Sequence, residues 1–163
     1  MSKQGGRLRR PGRTPSPGKG DHRMSENEIR DLLAERTAAM HAKDPQRVVA
    51  SYTEKAVKFD LAPPLRTTGA SAEHVAQWMS TFDGPISYTY HDEEITVSGD
   101  LAVVAALAKL TATPQGQSES FTLWFRATLA LRRTGNDWLI AHEHNSTPFH
   151  MDGSFRAAVD LQP

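Results

Sequence analysis

Cysteine is absent from this chain of 163 residues, which excludes disulfides and thiolate metal ligands and fits a reducing, cytoplasmic setting. No apolar run approaches the roughly eighteen residues that a membrane span needs, so no membrane partner is expected. A glycine-rich nucleotide fingerprint is also lacking, and with it the expectation of a nucleotide cofactor. Neither charge is in excess, with 19 Lys and Arg against 19 Asp and Glu. What remains is an ordinary globular composition with 38% hydrophobic residues, enough for one core in one domain. There is no internal repeat.

The zero net charge hides an asymmetry. Residues 1–23, "MSKQGGRLRRPGRTPSPGKGDHR", hold seven Lys or Arg against one acid, and the rest of the chain holds twelve against eighteen. With five Gly, three Pro and Leu8 as its only aliphatic residue beyond the initial Met, this segment cannot offset the entropy of ordering itself. A disordered basic leader over 1–23 and a single folded domain over 24–163 are therefore expected. The leader has no aromatic residues, so it argues only weakly for a nucleic-acid partner, and it has no apolar stretch of the secretory type.

From Ser25 the chain is patterned. "SENEIRDLLAERTAAMHAKD" starts with Ser25 and Glu28 at capping-box spacing and carries Ile29, Leu32, Leu33, Arg36 and Met40 at helical intervals. "DPQRVVASY" restarts a short helix with Asp44 as cap and Pro45 in its first turn. "AVKFDLAPPL" reads as a strand broken at Pro63-Pro64, and "GASAEHVAQWMSTF" as a third helix with Val75, Trp78, Met79 and Phe82 on one face. The period then changes to two. "ISYTYHDEEITVSGDLAVVAALAKLTAT", "SESFTLWFRATLALRR" and "DWLIAHEHNS" read as four strands with turns at "SGD", "TPQGQS" and "RTGND". The order predicts an α+β cone: three N-terminal helices packed on a strongly curved antiparallel sheet, with a pocket in its mouth.

Two stretches carry a family likeness. "AKDPQRVVASYTEKAVKFDLAPPLRTTGASAEHVAQW" and "FRATLALRRTGNDWLIAHEHNSTPF" resemble the SnoaL-like and ketosteroid isomerase-like superfamily, which shares its cone fold with nuclear transport factors. A fainter likeness to the association domain of calmodulin-dependent kinase lies in the last strand. The resemblance covers nearly all of 25–163. It implies that Asp60, in the "A-x-x-x-D" pattern, occupies the place of the carboxylate that shuttles a proton between carbons. Such a base works best in a water-poor setting, and Phe59, Leu61, Ala62, Pro63, Pro64 and Leu65 flank it. The alternative is an Asp that ends a strand and bonds the backbone of the Pro-Pro turn. The family's oxyanion-binding tyrosine and protonated Asp fall near Arg36 and Thr128, neither of which supplies the same donor, so steroid isomerisation itself is not expected.

Strict alternation places Trp124, Arg126 and Thr128 on one face of their strand and Phe121, Leu123, Phe125, Ala127 and Leu129 on the other. In the last strand it separates Trp138, Ile140, His142, His144 and Ser146 from Leu139, Ala141, Glu143, Asn145 and Thr147, without saying which set looks inward. If the apolar face of 121–129 meets the helices, Trp124 and Arg126 lie outside at an oligomer interface; otherwise they line the cavity. The register implied by the resemblance favours Glu143 and Asn145 inward, with a Glu143–Arg126 ion pair. His142 and His144 stand about 7 Å apart on one face, near enough to chelate with His150 or Asp152, but no spacing defines a third ligand. Hydrogen-bonding histidines and no metal are expected.

Two functions follow from these readings. One is a cofactor-independent isomerase, cyclase or hydratase acting on an apolar, polyketide- or steroid-like compound. Asp60 would be its base, Arg126, Glu143 or His144 would polarise an oxygen, and Phe59, Trp78, Trp124, His142 and Asn145 would contact the ligand. The other is a non-catalytic ligand-binding or oligomerisation module. Apolar residues on both faces of 121–131 predict a homodimer through the open sheet.

Overall fold

A computed structural model describes residues 19–163. Helices α1 (Lys19–His41) and α2 (Pro45–Ala50) are followed by β1 (Tyr52–Phe59), the two-residue β2 (Thr67–Thr68) and α3 (Ala72–Met79). Four long strands come next: β3 (Phe82–Ser98), β4 (Leu101–Pro114), β5 (Phe121–Thr134) and β6 (Asp137–Ser146). They form one six-stranded sheet in the order β2-β1-β6-β5-β4-β3. The three helices cover one face of it, giving the expected α+β cone.

Local chemistry explains most of these boundaries. Asp44 caps α2 by accepting hydrogen bonds from the backbone N–H groups of Gln46 and Arg47, and Pro45 needs no such donor. Ser71 caps α3 in the same way through His74 N–H. The turns at 99–100, 115–120 and 135–136 fall at the expected breaks. Gly69 has φ +77°, and a Cβ there would lie 3.2 Å from the backbone oxygen of Glu54, so only glycine suits the approach of this loop to β1.

Three expectations are corrected. The sheet is mixed: β3 to β6 run antiparallel, but β1 joins β6 in parallel, with Val57, Lys58 and Phe59 beside His142, Glu143 and His144. A strand and its parallel neighbour need a long crossover, and α3 with the β3–β5 meander provides it. Helix α1 begins upstream of Ser25, so residues 19–23 are helical; the disorder expected over 1–18 lies outside the described residues. Ser25 is therefore a buried residue inside the helix, not its cap. Its Oγ accepts from Arg133 of β5 at 2.9 Å, and Glu28 takes the same guanidinium at 2.7 Å. Residues with capping-box spacing thus tie the helix to the sheet. Finally, α3 is shorter than its pattern suggested, and Phe82 opens β3, where its ring meets that of Trp78 edge-on.

The core lies between α1 and the inner sheet face. Ile29, Leu33 and Met40 of α1 pack over Ile86 of β3, Val104 and Leu110 of β4, Leu129 and Leu131 of β5, and Trp138 and Ile140 of β6. Burial of these apolar side chains is the main stabilising contribution. Arg36 shares their helix face and is only 3% exposed. A cation there requires a partner.

Candidate functional site

A β-bulge in β6 supplies that partner. Ile140 pairs with Leu131 and His142 with Ala130, which leaves Ala141 as an extra residue. The insertion resets the alternation. Trp138 and Ile140 face the core before it, and Glu143 and Asn145 face the same side after it. His142, His144 and Ser146 are left on the outer face beside Ala130, Thr128 and Arg126.

Glu143, 1% exposed, meets Arg36 in a two-oxygen contact: Nη2 lies 3.1 Å from Oε1 and 3.0 Å from Oε2. The Tyr52 hydroxyl also donates to Oε2, and Asn145 Nδ2 donates to Oε1 at 3.1 Å. Arg36 Nη1 reaches Ser51 Oγ at 3.3 Å, and its guanidinium lies 4.7 Å over the Tyr52 ring. Taking both charges out of water costs several kcal/mol per ion, and only paired geometry with added hydrogen bonds offsets it. Burial pushes the Glu143 carboxyl up, but Arg36, Tyr52 and Asn145 outweigh it and hold the group below its ordinary value. Burial likewise opposes the Arg36 charge, and Glu143 with the surrounding tyrosines outweighs it, holding the guanidinium well above its usual range. Both groups stay charged at neutral pH.

Two tyrosines of β3 complete this interior. Tyr88 and Tyr90, two residues apart, both point inward with rings 5.3 Å apart. Burial raises both phenols, Tyr88 well above its ordinary value and Tyr90 to about 12. Tyr90 is close enough to Tyr88 and Arg36 for both to act on its phenol, although among the described residues neither tyrosine hydroxyl, nor Arg36 Nε or Asn145 Oδ1, makes a hydrogen bond of good geometry.

Asn145 also walls an open groove of about 640 Å³ beside the ends of β1 and β6, where Phe59, Asp60, Leu61, Ala62, Pro63, Pro64, Leu65, Arg66 and His144 form the remaining lining. The Pro-rich loop after β1 thus presents an apolar wall, and Asp60 and His144 bring titratable groups to it. Asp60 stands at an open position, its side chain 37% exposed, with Lys58 Nζ 3.3 Å away. Phe59 meets the rings of His142 and His144 edge-on.

Of the residues expected at the site, Phe59, Asp60, His144 and Asn145 meet at the groove, and Glu143 lies behind Asn145. His142 instead hydrogen-bonds the Val57 carbonyl oxygen through Nδ1 at 2.8 Å. Arg126 is exposed on the outer face, so the expected Glu143–Arg126 pair does not form; β5 turns Leu129, not Arg126, toward Glu143's side. Trp124 shares that outer face, 4.8 Å from the His91 ring and with Lys109 Nζ 5.6 Å away. Trp78 sits on α3 against Phe82 and does not line the groove. His150 pairs with Asp160 at 2.9 Å, and among the described residues no three His, Asp or Glu side chains converge as metal ligands. Sequence reasoning missed Arg36, Tyr52, Tyr88 and Tyr90 as members of the interior. The available signals were a cation on the apolar stripe of α1 and the period-two tyrosines of "SYTYH".

Three helices over one face of a curved six-stranded sheet define the cone-shaped α+β class. Residues 29–150 match the SnoaL-like domain, and the chain belongs to that family. Among solved structures, an NTF2-like protein of unknown function from Pseudomonas putida is 30% identical with a TM-score of 0.75, over 86% of this chain and 98% of that one. A protein named as a candidate scytalone dehydratase from Novosphingobium aromaticivorans is 18% identical with a TM-score of 0.70, over 85% and 94%. One named as a candidate dehydratase of the NTF2-like family from Streptomyces avermitilis is 17% identical with a TM-score of 0.67, over 76% and 96%. No curated protein matches the chain. Among the described residues, no helix is long and apolar enough to cross a membrane.

Proposed function

We propose that the protein binds a small, largely apolar compound in the groove beside β1 and β6 and moves protons on it, as an isomerase, cyclase or hydratase-type enzyme. The observation that carries this reading is the meeting of Asp60 and His144 on one apolar-walled groove. An apolar ligand lying on Phe59, Leu61 and the two prolines would strip water from the Asp60 carboxylate. That is the condition in which a carboxylate takes a proton from carbon. His144, on the neighbouring strand and lining the same groove, would return a proton or polarise an oxygen. The dehydratase names of two similar folds fit elimination or addition of water as the reaction type, and at their low identity they support the fold more than the chemistry.

Proton movement can be read without knowing the product. Incubation with a panel of apolar ketones in D2O, followed by NMR, should show deuterium entering the carbon beside the carbonyl, and Asp60→Asn should abolish it. Exchange equal in the wild type and the variant would move the base elsewhere. The open, Lys58-paired setting of Asp60 favours a second reading, a ligand-binding module without turnover, for which no ketone would exchange although ligands bind.

The outer sheet face belongs to the same proposal. Leu101 and Val103 are 56% and 46% exposed on it, on the side that carries Trp124, and a second copy covering this patch would give the homodimer expected from the sequence. Sedimentation at micromolar concentration should give a dimer for the wild type and a folded monomer for Val103→Glu.

A further inference from the structure

We propose that the groove beside β1 and β6 takes an apolar acid, a hydrocarbon body that carries one carboxylate, and that Arg66 anchors this carboxylate. The proposal rests on the groove-binding reading above and names the class of compound the groove selects.

The charges around the groove do not balance. Asp60 is the one acidic side chain in its lining, and Lys58 already matches it, with Nζ 3.3 Å from Oδ2. Arg66 lines the same groove and forms no ion pair among the described residues. Its head is free but its base is held. Thr67 and Thr68 of β2 pair with Lys58 and Val57 of β1, and Gly69 N–H donates to the Ala56 carbonyl oxygen at 2.8 Å. The same antiparallel register, carried one step further, sets Arg66 opposite Phe59. An unmatched cation on a fixed backbone thus stands at one end of the Pro-rich loop, and the matched Asp60 stands at the other.

The rest of the lining defines what accompanies the charge. Phe59, Leu61, Pro63, Pro64 and Leu65 offer hydrocarbon, and Leu61 and Leu65 are left 42% and 96% exposed to water, so an apolar body would cover them. A guanidinium presents a planar fork of donors that matches a carboxylate through two parallel hydrogen bonds. One free cation suits one negative charge. A phosphate dianion would bring more charge than Arg66 can neutralise to a groove that already holds the Asp60 carboxylate, and a cationic compound would be repelled by Arg66 and Lys58. With its carboxylate at Arg66, the guest would lie along the loop and present carbon, not its own charge, to Asp60.

2-Naphthoate and 2-acetylnaphthalene, which share a shape and differ by one charge, test this by equilibrium dialysis against the full chain. At low salt the wild type should bind 2-naphthoate about fivefold more tightly, the size of an exposed two-point ion pair, and about 0.5 M NaCl should erase most of that preference. Arg66→Gln should bind the two probes equally, with its affinity for 2-acetylnaphthalene unchanged. Arg132→Gln, which removes a likewise unpaired cation from the outer face, should keep the preference. Because Arg66 is exposed, Arg66→Gln should also melt with the wild type. Equal binding of both probes by the wild type, a preference that survives Arg66→Gln, or one lost equally in Arg132→Gln would overturn the proposal and leave the groove reading intact. A marked fall in the melting temperature of Arg66→Gln would overturn it too, since the guanidinium would then serve the fold. Leu65→Asp, which puts a charge on the apolar wall, should weaken 2-acetylnaphthalene. Indifference to that change, or binding of neither probe, would overturn the groove reading and this proposal together.

Discussion

Arg36 of α1 and Glu143 of β6 lie 107 residues apart in the chain and meet at 3.0 Å in the core. The pair fastens the first helix to the last strand. Its two charges are almost fully buried, so the loss of one leaves the other without compensation. Arg36→Met or Glu143→Gln alone should cost about 3–5 kcal/mol, whereas Arg36→Met with Glu143→Leu should recover much of that loss. Urea denaturation of the four proteins measures this. Additive losses in the double variant would contradict it.

Glu28 makes a second, less buried tie. Its Oε2 accepts from Arg133 Nη2 at 2.7 Å and from Trp138 Nε1 at 3.0 Å. Glu28→Ala should lower stability by about 1–2 kcal/mol, and Glu28→Gln by less, because the amide oxygen still accepts from Trp138. Equal losses in the two variants would show that the charge alone matters.

Stability should fall at both ends of the pH scale for different reasons. The Glu143 carboxyl is held below its ordinary value of about 4.5, so its contribution is complete above that pH and is lost as the pH drops through the lower folded-state value. The Tyr90 phenol is raised from about 10 to about 12. Its contribution is complete below about pH 10 and is lost as the pH climbs toward about 12, because the unfolded chain ionises first. Melting curves from pH 3 to 12 would show both limbs, and Tyr90→Phe should soften the alkaline one. An alkaline limb unchanged in that variant would assign it to other groups.

Ala141 is worth testing by deletion. Without the bulge, β6 would alternate strictly and could not turn Trp138 and Ile140 inward together with Glu143 and Asn145. Either the apolar pair or the Glu143 network would be expelled from the core. Deletion of Ala141 should therefore abolish the cooperative melting transition seen by circular dichroism. A deletion variant that melts like the parent would mean that the register can slip at little cost.

Local patterns in the sequence determined much of this protein. The helical spacing of Ile29, Leu33 and Met40, the Asp44-Pro45 start of α2, and period-two strands punctuated by glycine turns describe an α+β cone. They do so because caps, turns and amphipathic faces are properties of neighbouring residues. Asp60 is named through the family resemblance and not by local pattern, and the groove it shares with His144 exists only because the Pro-rich loop folds back beside the end of β6. The parallel seat of β1 beside β6, the extra residue at Ala141 and the choice of Arg36 over Arg126 as the partner of Glu143 were decided only in the tertiary structure. Strict alternation carries no sign of where a residue is skipped, and one skipped residue reverses the direction of every side chain after it. A buried carboxylate is neutralised by whichever cation the packing brings beside it. Here α1 crosses the inner face and brings Arg36, and the pleat of β5 turns Arg126 away.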